Sequence, residues 1–383
     1  MEISSIIKKM VRRIVVRLVF YLLPAVILVP AGIYFYFFFR RFLSLFKLEK
    51  GRWYTRILCL IFSVGCAAIG WWVFGLGAVV VYHFLAVCLI MEILNLILNK
   101  VWFHGKNRVW DFLYKSGVIG AAAVAFVFIY GFWNMHQIHV TEYDITSAKL
   151  EEGESLDIAV ISDLHLGTSM DAGGLLKWCG EIGGQSPDML LLAGDIFDEH
   201  TKKEEMEQAA EILGDVQSTY GTYYVFGNHD PNHYRTDSEY TAEELRLTLE
   251  EAGVKVLEDE AVLLTPGVCL IGRKDASTNG RGSAEVLTEG LDEDVFKILL
   301  DHQPGKLKEN EEAGFDLQIS GHTHAGQIWP TGPLMELMGI NEINYGHRRL
   351  NTLDVIVSSG IAGWGYPVRT GGHSEYVMIH LSH

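Results

Sequence analysis

Five short motifs rich in carboxylate and imidazole side chains follow one another in the second half of the chain. In order they are Asp163-Leu164-His165, Gly194-Asp195-Ile196-Phe197-Asp198, Gly227-Asn228-His229-Asp230, the single His302, and Gly321-His322-Thr323-His324. Each comes directly after a short apolar run. Carboxylate, imidazole and amide groups are ligands for divalent cations, and paired cations promote hydrolysis at phosphorus. The set therefore favours a two-metal hydrolase of phosphate esters.

The spacing within two of the motifs suits a shared cation. Asp163 and His165 are two residues apart, so their side chains point to the same side of an extended strand end. His322 and His324 repeat this spacing on another strand. A carboxylate such as Asp195 has two oxygens and can bridge two cations roughly 3.5 to 4 Å apart.

Short apolar runs alternate with amphipathic segments from residue 156 onward, which predicts a layered α/β core. The predicted strands are Leu156–Ile161, Met189–Ala193, Thr222–Phe226, Val295–Leu300, Phe315–Ile319 and Asp354–Val357, and the predicted helices are Ala172–Gly183, Thr201–Thr219 and Thr241–Ala252. The candidate ligands lie at or just past strand ends, where open α/β sheets gather their ligand sites. A glycine precedes three of the ligands, at Gly194, Gly227 and Gly321. A tight turn after a strand often needs a positive φ or a close backbone approach, and glycine allows both.

The first 135 residues have a different composition. Their four apolar stretches are Leu18 to Phe39, Ile57 to about Gly75, about Leu76 to Leu98, and Gly117 to Trp133. Each has about the 20 residues that a helix needs to cross a bilayer. We therefore expect an all-α membrane domain of about four transmembrane helices at 1–135. A linker with a strand that enters the globular part should follow at 136–155, and a globular domain at 156–383.

Details of the first half refine this expectation. The first stretch lacks a cleavage site and is followed by Arg40-Arg41, so it is expected to be a retained anchor. Upstream, the segment Ile3 to Val15 suits a basic helix on a lipid surface, although a solvated helix extension is an alternative. His83, Glu92 and Asn95 fall inside the third stretch, where we expect them to serve helix packing or to lie near the interface.

Charge is divided between the two halves. Residues 1–135 hold 15 Lys and Arg against 4 Asp and Glu, and the remainder holds 16 against 43. Such an acidic second half argues against nucleic acid as a partner. Loops 40–56 and 99–115 carry six and four basic residues, so both are expected inside the cell. The protein is then a multi-pass cell-membrane protein with its catalytic half outside the cytoplasm. This arrangement leaves five basic residues of the amino terminus outside, unless the first segment enters and returns on the cytoplasmic side.

The five motifs resemble the pattern DxH, GDxxD, GNH[DE], H and GHxH of the calcineurin-like metallophosphoesterase superfamily. The resemblance runs from about Leu156 to His380 with no motif missing. The stretches Leu299–Pro304 and Gly321–Gln327, together with the helical first half, resemble its membrane-associated bacterial branch. The resemblance implies an α-β-β-α metallophosphoesterase sandwich at 156–383.

The same resemblance implies roles for the motif residues. One metal would be held by Asp163, His165, Asp195 and His324, and the other by Asp195, Asn228, His302 and His322, with Asp195 bridging. His229 would donate a proton to the leaving oxygen, with Asp230 orienting it. Two cations make hydroxide available near neutral pH, and an imidazole with a pKa of about 6.5 is a suitable general acid. Nitrogen and oxygen ligands without thiolate suit Mn, Fe or Zn.

Other residues keep two interpretations at this stage. Asp198 either orients a metal ligand or caps the helix predicted from Thr201. The resemblance favours the Gly-rich segment Ser359–Gly372, with Trp364, Tyr366 and Arg369, as a rim loop, while chemistry alone allows an ordinary loop. His200, His233, His347 and His373 are expected at the surface, although His233 or Arg235 could contact substrate.

Two functions compete. The first is a membrane-anchored hydrolase of phosphoester, phosphodiester or pyrophosphate bonds, more a phosphodiesterase than a protein phosphatase. Its substrate would be a phosphorylated small molecule or a lipid-linked or envelope phosphate, such as a diacylglucosamine diphosphate. The alternative is a membrane transporter or receptor whose globular half senses metal or phosphate without turnover. His229 favours the enzyme, because a sensor has little use for a general acid.

Overall fold

The computed structural model describes residues 26–46, 48, 52–71, 75–103, 107–235 and 237–383. Contacts divide the chain into two units, one ending at Ile129 and the other beginning at Tyr130. The surface helix predicted for Ile3–Val15 and the first residues of the Leu18–Phe39 stretch lie outside the described residues.

The first unit is helical. Its helices are α1 (Val26–Phe46), α2 (Trp53–Trp71), α3 (Leu76–Leu98), α4 (Arg108–Ser116) and α5 (Val118–Met135), the last of which continues into the second unit. All except α4 are long and apolar enough to cross a membrane, α3 together with its extension to Trp102. The shorter α4 begins after Asn107, whose side chain caps it by accepting from the Trp110 amide. The described residues thus contain four candidate membrane spans.

A polar cluster joins helices of the first unit. The Glu92 carboxylate accepts hydrogen bonds from the Tyr34 hydroxyl at 2.8 Å, from the Arg41 guanidinium at 2.7 Å, and from the Tyr114 hydroxyl. Asn95 accepts from the Trp110 indole at 2.9 Å. These bonds connect α3 to α1 and α4, so Glu92 and Asn95 serve helix packing, whereas the His83 ring bonds to the Val79 carbonyl oxygen of α3 itself at 2.7 Å.

The second unit contains two six-stranded sheets. The strands are β1 (Ile138–Thr146), β2 (Ser155–Ile161), β3 (Met189–Leu192), β4 (Thr222–Tyr224), β5 (Lys255–Val256), β6 (Glu260–Thr265), β7 (Val268–Gly272), β8 (Phe296–Leu300), β9 (Leu317–Ser320), β10 (Gly346–Arg349), β11 (Asp354–Val357) and β12 (Ser374–Ser382). The helices are α6 (Ala172–Gly184), α7 (Lys203–Gly214), α8 (Ala242–Glu251), α9 (Ala284–Thr288), α10 (Leu307–Glu312) and α11 (Thr331–Leu337). One sheet has the order β1-β12-β2-β3-β4-β5 and the other β10-β11-β9-β8-β7-β6.

Three apolar layers hold these elements together. Ile158 and Val160 of β2 face the second sheet and pack with its residues, including Ile298 of β8. Ala159 and Ile161 alternate with them and face the layer of α6, α7 and α8. A third cluster lies between the second sheet and the helices α9 and α10. Each sheet is therefore covered on both faces, which is the predicted α-β-β-α sandwich.

All six predicted strands exist, as β2, β3, β4, β8, β9 and β11, with ends that agree within two residues. The helix predicted for Thr201–Thr219 is shorter, Lys203–Gly214, and Gly214 at its end packs against the backbone of Ala252. Strand β1 lies in the segment expected to contain an entering strand. It pairs over nine residues with β12, which the hydrophobic pattern had not indicated.

Candidate metal centre

Strand ends bring the motif residues to one edge of the sandwich. In the first sheet, Asp163 follows β2, Asp195 follows β3 and Asn228 follows β4. In the second sheet, His302 follows β8 and His322 follows β9. Strands β2, β3 and β4 are parallel, as are β8 and β9, so within each sheet their carboxyl ends share one edge. The two edges face each other across the core.

The first group of possible ligands is Asp163, His165 and His324, whose ligand atoms all lie within 4.8 Å of one another. Nε2 of His324 is 3.5 Å from Oδ1 of Asp163. The rings of His165 and His324 stack with their centroids 5.2 Å apart. All three residues are buried. His322, which the two-residue spacing had paired with His324, lies in the other group.

The second group is Asp195, His302 and His322, again within 4.8 Å of one another. Nε2 of His302 lies 3.1 Å from Oδ2 of Asp195 and 3.3 Å from Nδ1 of His322. The same Oδ2 of Asp195 lies 3.9 Å from Nε2 of His165, a member of the first group. Asp195 therefore stands between the groups, as a bridging ligand must.

Several buried polar atoms of the site have no hydrogen-bond partner. They are both ring nitrogens of His165, Nδ1 of His324 and Oδ1 of Asn228. Leaving such an atom unsatisfied costs roughly 1–3 kcal/mol. These are nitrogen and oxygen atoms of the candidate ligands, so the residues present fit a pair of divalent cations. Asn228 is the one predicted ligand outside both groups, and its Oδ1 is one of these unpartnered atoms.

For His322 and His324 the pKa shifts favour the neutral form, whereas burial opposes and Asp195 favours charge on His302, whose pKa is raised. Burial, together with the charge of nearby His302, lowers the pKa of His322 to about 4. Burial and the neighbouring His165 lower the pKa of His324 well below its ordinary value. Neutral imidazole is the form that binds a metal. Nδ1 of His302 donates to the carbonyl oxygen of Ala193 at 2.8 Å, so its Nε2 is directed at Asp195.

The backbone of the site is strained. Five of the predicted ligands have a positive φ, which non-glycine residues rarely adopt: 53° at Asp163, 43° at His165, 52° at Asp195, 73° at His322 and 50° at His324. Each costs roughly 1–3 kcal/mol, and such strain concentrates at functional sites. Backbone bonds between motifs hold the turns, including Asp163 N to Gly194 O at 3.0 Å and His165 N to Asp195 O at 3.1 Å.

The three motif glycines serve two different needs. Gly194 has a φ of +80°. A side chain on Gly227 would place its Cβ 2.6 Å from the backbone nitrogen of Asp195, and one on Gly321 would lie 2.7 Å from Cβ of Ser162. The first glycine therefore provides backbone conformation, and the other two provide close approach.

His229 contacts a carboxylate that the sequence analysis did not single out. Its Nδ1 lies 3.0 and 3.1 Å from the two carboxylate oxygens of Glu199. Its backbone amide donates to Oδ1 of Asp195 at 2.8 Å. Burial opposes charge on this ring, but the hydrogen bond with Glu199 and the charge of Asp195 raise the pKa of His229. The only sequence signal for Glu199 is its position directly after Asp198.

The expected orienting role of Asp230 is wrong. Its buried carboxylate accepts hydrogen bonds from the amides of Asp195 at 2.8 Å, Phe197 at 3.0 Å and Gly227 at 2.6 Å, and from the Tyr224 hydroxyl at 2.6 Å. None of these described bonds goes to the His229 ring. Asp230 instead joins the backbone of two motifs, because the turn after β4 directs it inward.

Asp198 lies beside a metal-ligand candidate and does not cap a helix. Its Oδ2 is 3.5 Å from Nδ1 of His165, and its Oδ1 accepts from the His200 amide at 2.7 Å. Helix α7 begins only at Lys203. Of the two interpretations left open by the sequence, the structure favours the one in which Asp198 orients a ligand.

The segment 359–372 borders the site, as expected of a rim loop. The Trp364 ring lies 5.6 Å from the His229 ring. Arg369, in contrast, is buried beneath the loop and donates to the carbonyl oxygens of His324 at 2.9 Å and Ala362 at 2.6 Å. His200 and Arg235 contact each other at 2.8 Å.

Comparison with known proteins agrees with this geometry. Residues 156–326 match the family profile of the calcineurin-like phosphoesterases. The chain is 31% identical over 237 residues to an uncharacterized metallophosphoesterase of Campylobacter jejuni, covering 60% of this chain and 59% of that protein. It is 29% identical over 285 residues to a transmembrane protein with metallophosphoesterase domain of Danio rerio, covering 70% and 63%, respectively.

A protein of the same description from Bos taurus is 32% identical over 246 residues, covering 59% of this chain and 53% of that protein. The chain thus spans between about half and two thirds of the length of these relatives. The five motifs that supply the candidate ligands all lie within the matched residues 156–326. Through this region the chain is similar to the calcineurin-like phosphoesterases.

Proposed function

We propose that the chain is a membrane-anchored, two-metal hydrolase of phosphoester bonds. The observation that carries the proposal is the position of the Asp195 carboxylate. Its Oδ2 lies 3.1 Å from His302 of one ligand group and 3.9 Å from His165 of the other. Its Oδ1 accepts the amide of His229, the candidate proton donor, at 2.8 Å. One side chain thereby links both ligand groups and the acid.

In this proposal the candidate ligands form two sets, one for each cation. One would be held by Asp163, His165, Asp195 and His324, and the other by Asp195, Asn228, His302 and His322. When bound, such cations lower the pKa of water and neutralise phosphoryl charge. The absence of thiolate among the donors suits Mn, Fe or Zn.

His229 acts as the general acid in this proposal. Glu199 occupies the Nδ1 side of the ring, which leaves Nε2 to hold the proton that is given to the leaving oxygen. The raised pKa of His229 favours the protonated ring, which is the form that a general acid needs. Glu199 therefore takes the orienting role that the sequence had suggested for Asp230.

The membrane spans restrict the substrate. A chain anchored by α1, α2, α3 and α5 would meet phosphates at a membrane surface, so we propose a diester or pyrophosphate on a phosphorylated small molecule or a lipid-linked envelope compound. A protein phosphatase role is less favoured. Relatives described as transmembrane proteins with a metallophosphoesterase domain support the anchoring. We further propose a multi-pass topology with the second unit outside the cytoplasm.

The test is turnover by the full chain in detergent, with Mn, Fe or Zn and a panel of model phosphomonoesters and diesters. The full chain is required because β1 pairs with β12 over nine residues, and a fragment beginning at residue 150 would lack that strand. We expect the wild-type chain to hydrolyse a model diester and the Asp195→Asn variant to show no hydrolysis. Metal binding without turnover on any ester would favour the sensor alternative.

A further inference from the structure

The second unit carries an apolar ridge. Five large apolar side chains within twelve residues are 46–82% exposed: Trp329, Leu334, Leu337, Met338 and Ile340. Other exposed large apolar side chains among the described residues from Ile138 onward stand far apart in the sequence: Val140, Leu176, Tyr234, Leu247, Leu263 and Val286. Single exposed apolar residues are normal, but a contiguous group marks an interaction surface.

The ridge packs against the backbone next to His324, one of the candidate ligands. Leu334, Leu337 and Met338 are spaced by three and four residues, so they share one face of α11 and its last turn. On the opposite side Gly332 is buried, and a Cβ there would lie 2.6 Å from the carbonyl oxygen of Ala325, the residue after His324. The apolar face is therefore presented outward by a packed helix.

The ridge begins beside the end of the apolar helix α5. The Trp329 amide donates to the Thr370 hydroxyl at 3.0 Å. The methyl group of Thr370 would lie 3.0 Å from a Cβ on Gly131 of α5, and the Gly131 carbonyl oxygen accepts from the Arg369 amide at 2.9 Å. A single residue, Thr370, thus contacts both the ridge and α5.

The same end of α5 carries aromatic side chains suited to a membrane interface. Tyr130 and Trp133 are both exposed, and their ring centroids are 6.2 Å apart. Tyr and Trp concentrate where a membrane helix leaves the hydrocarbon. Trp329 therefore starts the ridge close to the level at which α5 leaves the bilayer.

We propose that the ridge inserts into the surface of the bilayer that α5 crosses. The bilayer is the proposed occupant because the ridge begins beside α5, and α5 is long and apolar enough to cross a bilayer. Between Trp329 and Ile340 the only charged residue is Glu336, so the attachment depends on apolar burial and not on anionic lipid. Because the ridge follows directly after His322 and His324, insertion would hold the metal centre near the headgroup phosphates.

The experiment measures the membrane depth of a nitroxide label at position 338. The full chain is reconstituted in phosphatidylcholine vesicles, with Cys66→Ala because the other four native cysteines are buried. Met338→Cys carries the label, and Val286→Cys on α9 is the matched control, since both native side chains are 62% exposed. We expect oxygen to relax the label at 338 more strongly than a water-soluble nickel chelate, with the opposite order at 286.

Each contrary result is distinct. If the label at 338 behaves like that at 286, the ridge faces water and the proposal is overturned. Spin–spin broadening at 338 that disappears on dilution with unlabelled chain would identify a second copy as the occupant, which also overturns it. The proposal rests on the membrane anchoring of the proposed function. A chain that fails to float with vesicles would overturn both, whereas a floating chain with an aqueous label would overturn the ridge alone. Turnover does not enter the readout.

Discussion

The imidazole of His229 is paired with the carboxylate of Glu199, whose two oxygens lie 3.0 and 3.1 Å from Nδ1. The aspartate next to His229 in the sequence, Asp230, bonds instead to backbone amides and to Tyr224. The two carboxylates therefore have different partners: Glu199 contacts the imidazole that we propose as the proton donor, and Asp230 holds the backbone of two motifs.

Replacement of Glu199 by Gln should shift the pH dependence of turnover. In the native chain Glu199 raises the pKa of His229, so the acid stays protonated to higher pH. Without this carboxylate the pKa falls, and the basic limb of the kcat/KM profile should move to lower pH while metal content is unchanged. The exposed Glu204→Gln is the control. An unshifted basic limb would show that Glu199 does not act on the proton donor.

His229→Gln should leave metal content intact and lower turnover by roughly 10²–10⁴-fold, the usual contribution of a general acid. The loss should be smaller for substrates with good leaving groups, because these need little protonation. Metal analysis alongside turnover on a leaving-group series checks both expectations. Loss of bound metal would mean that His229 is a ligand and not the acid.

Asp195→Asn should abolish turnover and reduce the occupancy of both metals, because this carboxylate lies between the two ligand groups. Elemental analysis of the purified full chain gives the metal stoichiometry. The exposed Asp294→Asn serves as the control and should behave as wild type. A variant that keeps two ions per chain and near-normal turnover would remove the bridging assignment.

Asp230→Asn should act mainly on stability. A buried donor that loses its acceptor costs roughly 1–3 kcal/mol, and four donors converge on this carboxylate. We expect a lower Tm and weaker metal binding, with the basic limb of the pH profile where it is in wild type. A shifted limb with an unchanged Tm would instead restore the orienting role of Asp230.

The proposed membrane topology predicts that the second unit lies outside the cytoplasm. Loops 40–56 and 99–115 carry six and four Lys and Arg, so both should stay in the cytoplasm, and residues from 134 onward should lie outside. Protease added to spheroplasts should then release the second unit from its anchor. Full protection until the membrane is broken would place it in the cytoplasm.

Local properties explain what the sequence alone determined. The six predicted strands were recognised because each is a short apolar run, and α6, α7 and α8 because their segments are amphipathic. The five motifs likewise give the residue types of the candidate metal ligands and their order along the chain. The apolar stretches of the first half are long enough to be recognised from composition as candidate membrane spans.

Only the tertiary structure decided the features that depend on residues far apart in the chain. Strand β12 lies between β1 and β2, and no local pattern specifies that pairing. The choice of Glu199 over Asp230 as the partner of His229 follows from where the turns after β3 and β4 direct their side chains. The segment from Trp329 to Ile340 is apolar in sequence, but only the fold shows that its large side chains are exposed. Periodicity shows that one face of a helix is apolar, whereas the packing of the rest of the chain determines whether that face is covered.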